Sequence, residues 1–231
     1  MVYVSDGGMY SDTVPQIVYG NRGILSFEIG ITTAKSDNHS GNKGGVIENA
    51  AWKMVKLLSS MTDADGKVLI DGFYDGIAPV SPAQQEMMEA MEFEPEELCR
   101  LYGVDRLKFD DKLEFYRHLM FLPTLTINGL TSGYGGEGTK TIIPCHAVVK
   151  MDIRLVPGMR GKDTYEKVKR HVEKMEPSAV VSGYSVMEAS CTEPSLPLVV
   201  RIRVGIKKAY NTEPVNLPLM GGSLPNYVFT D

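Results

Sequence analysis

Ala147-Val148-Val149-Lys150-Met151-Asp152-Ile153-Arg154-Leu155-Val156 is the most regular stretch of the chain. Val149, Met151, Ile153 and Leu155 fall on one face of an extended segment, and Lys150, Asp152 and Arg154 fall on the other. This is the period of a strand with one face in a core and one face wet. Pro157-Gly158 closes the strand. From Gly161 to Met175 the apolar residues Tyr165, Val168, Val172 and Met175 recur at helical spacing, which predicts an amphipathic helix with those four on its buried face. An alternating strand over Ala179 to Ala189 follows.

Upstream the same grammar repeats. Leu25, Phe27, Ile29 and Ile31 alternate with Ser26, Glu28 and Gly30, predicting another half-buried strand. A polar, glycine-rich loop over residues 36–45 leads into a helix of about four turns on Ile47, Ala51, Met54, Leu58 and Met61, with Lys53, Lys56 and Ser60 toward solvent. A strand over Thr124 to Leu130 precedes the glycine-rich connection Ser132 to Gly138. Between them, Pro82 to Met91, Pro95 to Tyr102 and Asp111 to Phe121 read as three short helices in an insertion, with prolines near their starts and acidic first turns. Without that insertion the order is βαββαβ, a ferredoxin-like antiparallel sheet with two helices on one face. The fold class is therefore α/β in the α+β sense.

The flanks read differently. Met1 to Ser5 is apolar without alternation, which suits a strand buried on both faces of a parallel sheet. After residue 190 a helix over Leu196 to Tyr210, an apolar piece over Val215 to Met220 and a Gly221-Gly222-Ser223 turn lead to Tyr227-Val228-Phe229, which reads as the start of a further element. The expected division is 1–20 and 191–231 as two pieces of one unit, with 21–190 as a second.

Composition narrows the function classes. The 231 residues carry 24 basic and 29 acidic side chains, a net charge of −5, and are 43% hydrophobic. No basic stripe exists to neutralise phosphates, so neither nucleic acid nor an anionic membrane is an expected partner. No apolar run is long enough to span a bilayer, and no signal peptide is read at Met1. Cys99, Cys145 and Cys191 are odd in number and scattered. Free buried thiols in a reducing cytoplasm are expected, with no disulfide framework or structural zinc site.

Four histidines are candidates for chemistry. His118 and His171 lie in helical patterns among charged residues, and a solvated face is expected for both. His146 opens a strand beside Cys145, too few ligands for a metal. His39 sits between a strand and a helix, beside Asp37 and small residues that let a substrate approach. Asp6 follows the first apolar stretch, a position where a carboxylate is either a metal ligand or a loop cap. Arg154 projects from a polar sheet face, where its planar fork suits a carboxylate or an exposed cross-strand partner. The Gly133–Gly138 run lies between strands, so a flexible connection is favoured over a phosphate cradle.

Several segments together resemble the family of dinuclear zinc metallopeptidases that includes carnosinase-type dipeptidases, acetylornithine deacetylase, succinyl-diaminopimelate desuccinylase and aminoacylase. They are Tyr3-Val4-Ser5-Asp6, Tyr19-Gly20-Asn21-Arg22-Gly23, Asp37-Asn38-His39-Ser40-Gly41 with Gly44-Gly45, and Gly72-Phe73-Tyr74-Asp75. Pro123-Thr124-Leu125, Gly138 to Pro144, Ile153-Arg154-Leu155-Val156-Pro157 and Gly221-Gly222-Ser223-Leu224-Pro225 continue the set in the family's order. The Asp-x-His-Ser-Gly and Ile-Arg-Leu-Val-Pro elements are most similar to the dipeptidase branch.

The resemblance implies a catalytic domain interrupted by a ferredoxin-like lid that forms a homodimer, and hydrolysis of peptide or N-acyl amide bonds by two zinc ions sharing a water. It implies Asp6 as a zinc ligand, His39 as an oxyanion donor reaching into the partner subunit's site, Thr141 as a substrate contact there, and Arg154 and Ser223 as residues holding the substrate, Arg154 on its carboxylate. In the family's order a His-x-Asp, a bridging aspartate and a Glu-Glu pair precede the position of Met1, and a last zinc histidine follows that of Asp231. The chain alone is therefore expected to lack the general base and most ligands. A dimerisation or binding module without catalysis is the alternative.

Overall fold

The structure, a computed structural model, describes residues 8–230. Its strands are β1 (Gln16–Val18), β2 (Gly20–Asn21), β3 (Gly23–Thr32), β4 (Asn38–His39), β5 (Thr124–Ser132), β6 (Ile142–Ile143), β7 (His146–Leu155), β8 (Ala179–Met187), β9 (Ser190–Cys191) and β10 (Val215–Leu217). The helices are α1 (Ser40–Lys43), α2 (Ala50–Ser59), α3 (Pro82–Ala90), α4 (Pro95–Tyr102), α5 (Lys112–Met120), α6 (Gly161–Met175) and α7 (Pro197–Tyr210), and a tight helical turn covers Pro225–Phe229. The strand expected over Met1 to Ser5 lies outside the described residues, as does Asp6.

The central sheet has the order β5-β7-β3-β8, antiparallel throughout. With α2 between β3 and β5 and α6 between β7 and β8, this is the ferredoxin-like arrangement that the alternation predicted. The reason is visible in β3 and β7. Leu25, Ile29, Ile31, Val149, Ile153 and Leu155 are fully buried under the two helices, and each such side chain withdrawn from water contributes roughly 1.5–3 kcal/mol before entropy is subtracted. The opposite face carries Ser26, Glu28, Lys150, Asp152 and Arg154, with Ser26 opposite Asp152 and Glu28 opposite Lys150.

Helix boundaries depart from the periodicity where capping intervenes. α2 starts at Ala50 because the Asn49 side chain accepts the Trp52 N–H at 3.2 Å, closing the first turn. Its buried residues are Ala50, Met54 and Leu57, with Met61 just beyond its end. Ile47, expected on that face, lies before the helix and is exposed. In α6 the buried set is Gly161, Thr164, Val168 and Val172. Met175, expected inside, is exposed at the last turn, where the chain leaves the sheet.

The chain enters and leaves the four-stranded unit at one place. β2 pairs antiparallel with β9, Gly20 opposite Cys191 and Asn21 opposite Ser190, while β1 pairs parallel with β10. Approach at this neck is close. A Cβ on Gly20 would lie 2.3 Å from the Ser190 carbonyl oxygen, so no larger residue fits. The helical insertion builds a second small core, with Met88, Met91, Tyr116, Met120 and Phe121 packed around Leu219.

Candidate functional site

Two pairs of the expected residues come together, each joining segments far apart in sequence. The first stands at the Thr32–His146 end of the sheet. β4 pairs with β6, His39 opposite Ile142, and the loop before it is pinned by Cys145 N–H to the Asp37 carboxylate at 2.9 Å and Ser40 N–H to the Thr141 carbonyl at 2.9 Å. The backbone hydrogen bond from Cys145 holds the Asp37 carboxyl below the usual range, and the Asp37 carboxylate in turn pushes the Cys145 thiol up.

On this frame His39 caps α1. Its Nδ1 accepts the Gly41 N–H at 3.0 Å, and its Nε2 lies 3.2 Å from the Thr141 hydroxyl. A ring nitrogen that accepts carries no proton, so the neutral imidazole is the Nε2–H tautomer and donates toward Thr141. The one N–H of His39 is thus held against Thr141 at the surface of the loop.

The second pair stands at the other end of β7. Arg154 Nη1 donates to Ser223 Oγ at 3.0 Å, and its Nε lies 3.6 Å from Asp152 Oδ1. Beneath them is Arg22, only 8% exposed, whose Nε donates to the Gly221 carbonyl at 3.2 Å. Burial lowers the Arg22 guanidinium to about 10, the neighbouring charge of Arg154 adds to this, and Asp152 opposes it. The result is a polar corner of two guanidinium groups, one carboxylate and one hydroxyl, open at the Gly221–Ser223 turn. Such a corner suits a carboxylate ligand.

Arg22 stood in the sequence only as one residue of the Tyr19–Gly23 segment, and neither it nor Asp152 was singled out. Arg22 meets its partner 199 positions away, and Asp152 reads locally as one polar residue of an alternating strand. Arg154 and His146 are eight residues apart on β7, about 27 Å along the strand, and the His39–Thr141 pair lies beyond its His146 end.

Two of the remaining histidines, His171 and His118, are less solvated than expected. His171 is half-buried and its Nε2 lies 2.9 Å from Ser60 Oγ, tying α6 to the end of α2. Burial, opposed by Asp71, lowers its imidazole below the usual value. His118 stacks on Phe109 at 3.8 Å, and His146 Nδ1 lies 2.9 Å from the Thr32 hydroxyl. The thiols are less buried than expected: Cys99 and Cys145 are half-buried, and Cys191 is exposed. Among the described residues no group of three or more His, Cys, Asp or Glu side chains is placed to hold a metal ion. The described residues therefore do not fit a zinc centre. No described helix is long and apolar enough to cross a membrane.

Comparison with known proteins identifies the family and the fold. The family model of the peptidase dimerisation domain matches residues 19–180. The Beta-Ala-His dipeptidase of Mus musculus is 34% identical over 172 residues, which is 74% of this chain and 35% of the relative. The Cys-Gly metallodipeptidase of Saccharomyces cerevisiae is 31% identical over 172 residues, 74% of this chain and 36% of the relative. Among solved structures, an M20 family metallo-carboxypeptidase from Sulfolobus solfataricus superposes with a TM-score of 0.89 at 30% identity, covering 96% of this chain and 51% of that one. Human carnosine dipeptidase 1 superposes with a TM-score of 0.81 at 28% identity, covering 96% and 48%. The chain spans about a third of the length of the curated relatives it matches.

Proposed function

The chain belongs to the peptidase dimerisation domain family, and from that membership we propose that it supplies the lid of a zinc-dependent, dipeptidase-like hydrolase of peptide or N-acyl amide bonds. The unit at 21–190 is the lid and dimerisation domain, and 1–20 with 191–231 are pieces of the catalytic domain. The β2–β9 neck and the β1–β10 pairing support this division. In this reading Arg154 and Ser223 hold the substrate carboxylate. His39 turns its Nε2–H from the Thr141 hydroxyl to the carbonyl oxygen as charge develops there, and Thr141 touches the substrate. Asp6 is a zinc ligand in this proposal and lies outside the described residues, so no metal step is assigned to the groups described above.

One observation carries the arrangement: the His39–Thr141 and Arg154–Ser223 pairs lie at opposite ends of β7, whose His146 and Arg154 are about 27 Å apart along the strand. A dipeptide is far shorter than that. The two pairs act on one substrate when a second copy of the chain brings its His39 to the first copy's Arg154, which is the role of a homodimer. A cytoplasmic location goes with this reading.

A chimera tests it. Residues 21–190 replace the corresponding part of the Saccharomyces cerevisiae Cys-Gly metallodipeptidase, and hydrolysis of Cys-Gly is measured with and without a chelator. The expected result is metal-dependent activity that falls about 10²- to 10³-fold in His39→Ala, the usual loss for one oxyanion donor. Full activity of the His39→Ala chimera would refute the assigned role. Because the described residues hold no metal cluster, the competing reading is a dimerisation module without catalysis. An inactive but dimeric chimera is the outcome that favours it.

A further inference from the structure

The corner around Ser223 is braced from below by the neck segment Gly20–Arg22. Met220 N–H donates to the Gly20 carbonyl at 2.8 Å, and Arg22 N–H donates to the Met220 carbonyl at 3.0 Å. Asn226 Nδ2 donates to Asn21 Oδ1 at 2.9 Å, and the Asn21 Nδ2 is buried without a partner. Arg22 completes the brace. Its Nε donates to the Gly221 carbonyl, and a Cβ on Gly221 would lie 3.2 Å from its Nη2, so the guanidinium rests against the turn that carries Ser223.

The charges make the corner more than a support. Arg22 and Arg154 contribute two positive charges, and Asp152 is the carboxylate that acts on both. One positive charge is left over at a place where Arg22 is nearly closed off from water. With Arg22 present, the Asp152 carboxylate 3.6 Å from Arg154 Nε balances only one of the two charges, and the corner keeps a net positive charge for a ligand. Without it, Asp152 would pair with Arg154 alone and the corner would be neutral.

We propose that Arg22 is a positioning residue for this site and sets its selectivity for a carboxylate over a neutral amide. This rests on the reading of Arg154 and Ser223 as the carboxylate-holding pair. Arg22 fixes the Gly221–Ser223 turn through the Gly221 carbonyl and supplies the excess charge that a carboxylate neutralises.

The test uses the 231-residue chain and two probes, N-acetylglycine and N-acetylglycinamide, titrated in the millimolar range while the Arg side-chain N–H signals are followed by NMR. The wild-type chain is expected to bind the acid more tightly than the amide. Arg22→Met should lower that preference at least about tenfold, as expected for loss of one unit charge at close range in a partly buried site. Arg22→Lys, which keeps the charge and loses the planar donor, should bind both probes more weakly while retaining the preference. Asp152→Asn should tighten N-acetylglycine and leave the amide unchanged.

A purely structural role would weaken both probes equally in Arg22→Met, and an unchanged acid-to-amide ratio in a folded variant overturns the proposal. An unchanged N-acetylglycine affinity in Asp152→Asn also overturns it. If Arg154→Met leaves N-acetylglycine binding intact, or the wild-type chain does not bind it, the underlying reading fails instead and the inference goes with it.

Discussion

His39 shows how little of a site one residue carries by itself. Its loop position and small neighbours were legible, but its proton was not. The Nε2–H tautomer follows from a Gly41 amide two residues on and a Thr141 hydroxyl 102 residues away. The ring-nitrogen shifts of His39 at neutral pH should report that tautomer, and Thr141→Val should leave it in place, because the Gly41 bond fixes Nδ1 as acceptor. An Nδ1–H tautomer in either chain would contradict the geometry. Arg154 on its polar strand face suited a cross-strand partner equally well, and only the family resemblance singled it out for a carboxylate. Arg22 was not singled out, because its meaning lies in a turn at the other end of the chain. Gly158 is a further case. Its φ is 92° and a Cβ there would lie 2.0 Å from the Gly76 carbonyl oxygen. Gly158→Ala should therefore destabilise the fold by about 3 kcal/mol in urea unfolding, and a loss within 0.5 kcal/mol would show that the turn can relax.

Elements were the most legible level. Strand alternation found the four long strands, because one face of that sheet is buried and any slip by one residue would expose the core. Helix ends were harder, since they depend on caps rather than on period. Asn49 starts α2 three residues later than the apolar spacing suggested, and Asn49→Ala should cost about 1 kcal/mol. The α2–α6 contact adds a pH dependence. Burial keeps the folded His171 imidazole below its unfolded value, so the unfolded chain binds more protons below about pH 6.5. Its contribution is complete above that pH and is lost as pH falls through the folded value. Denaturation at pH 7.5 and 5.5 should show a smaller acid loss for His171→Gln than for the wild-type chain, and equal losses would exclude His171 as a source.

At the scale of the molecule, the sheet leaves two edges, and α2 lies toward the β5 edge because it packs on β3 and β7 while α6 packs on β3 and β8. Trp52 and Val55 on α2 and Ile127 and Leu130 on β5 are exposed there. Large apolar groups beside an unpaired strand are features of an interface rather than of a free surface. Sedimentation at micromolar concentration should find the dimer, and Trp52→Glu should weaken it at least about tenfold, the effect of losing a buried aromatic anchor. An unchanged dimer would move the interface elsewhere. None of this assembly was readable from spacing. Sequence patterns record which face is apolar, and only the fold shows that α2 and β5 expose apolar groups on one side.

The central claim is that the two pairs meet between chains. Paramagnetic broadening tests it directly, in a mixture of one chain spin-labelled at Ser40→Cys, with its native cysteines replaced by serine, and an unlabelled wild-type chain enriched for NMR. The expected result is broadening of the Arg154 Nε–H signal in the unlabelled partner. An Arg154 signal that stays sharp in a sample shown to be dimeric would contradict the shared site.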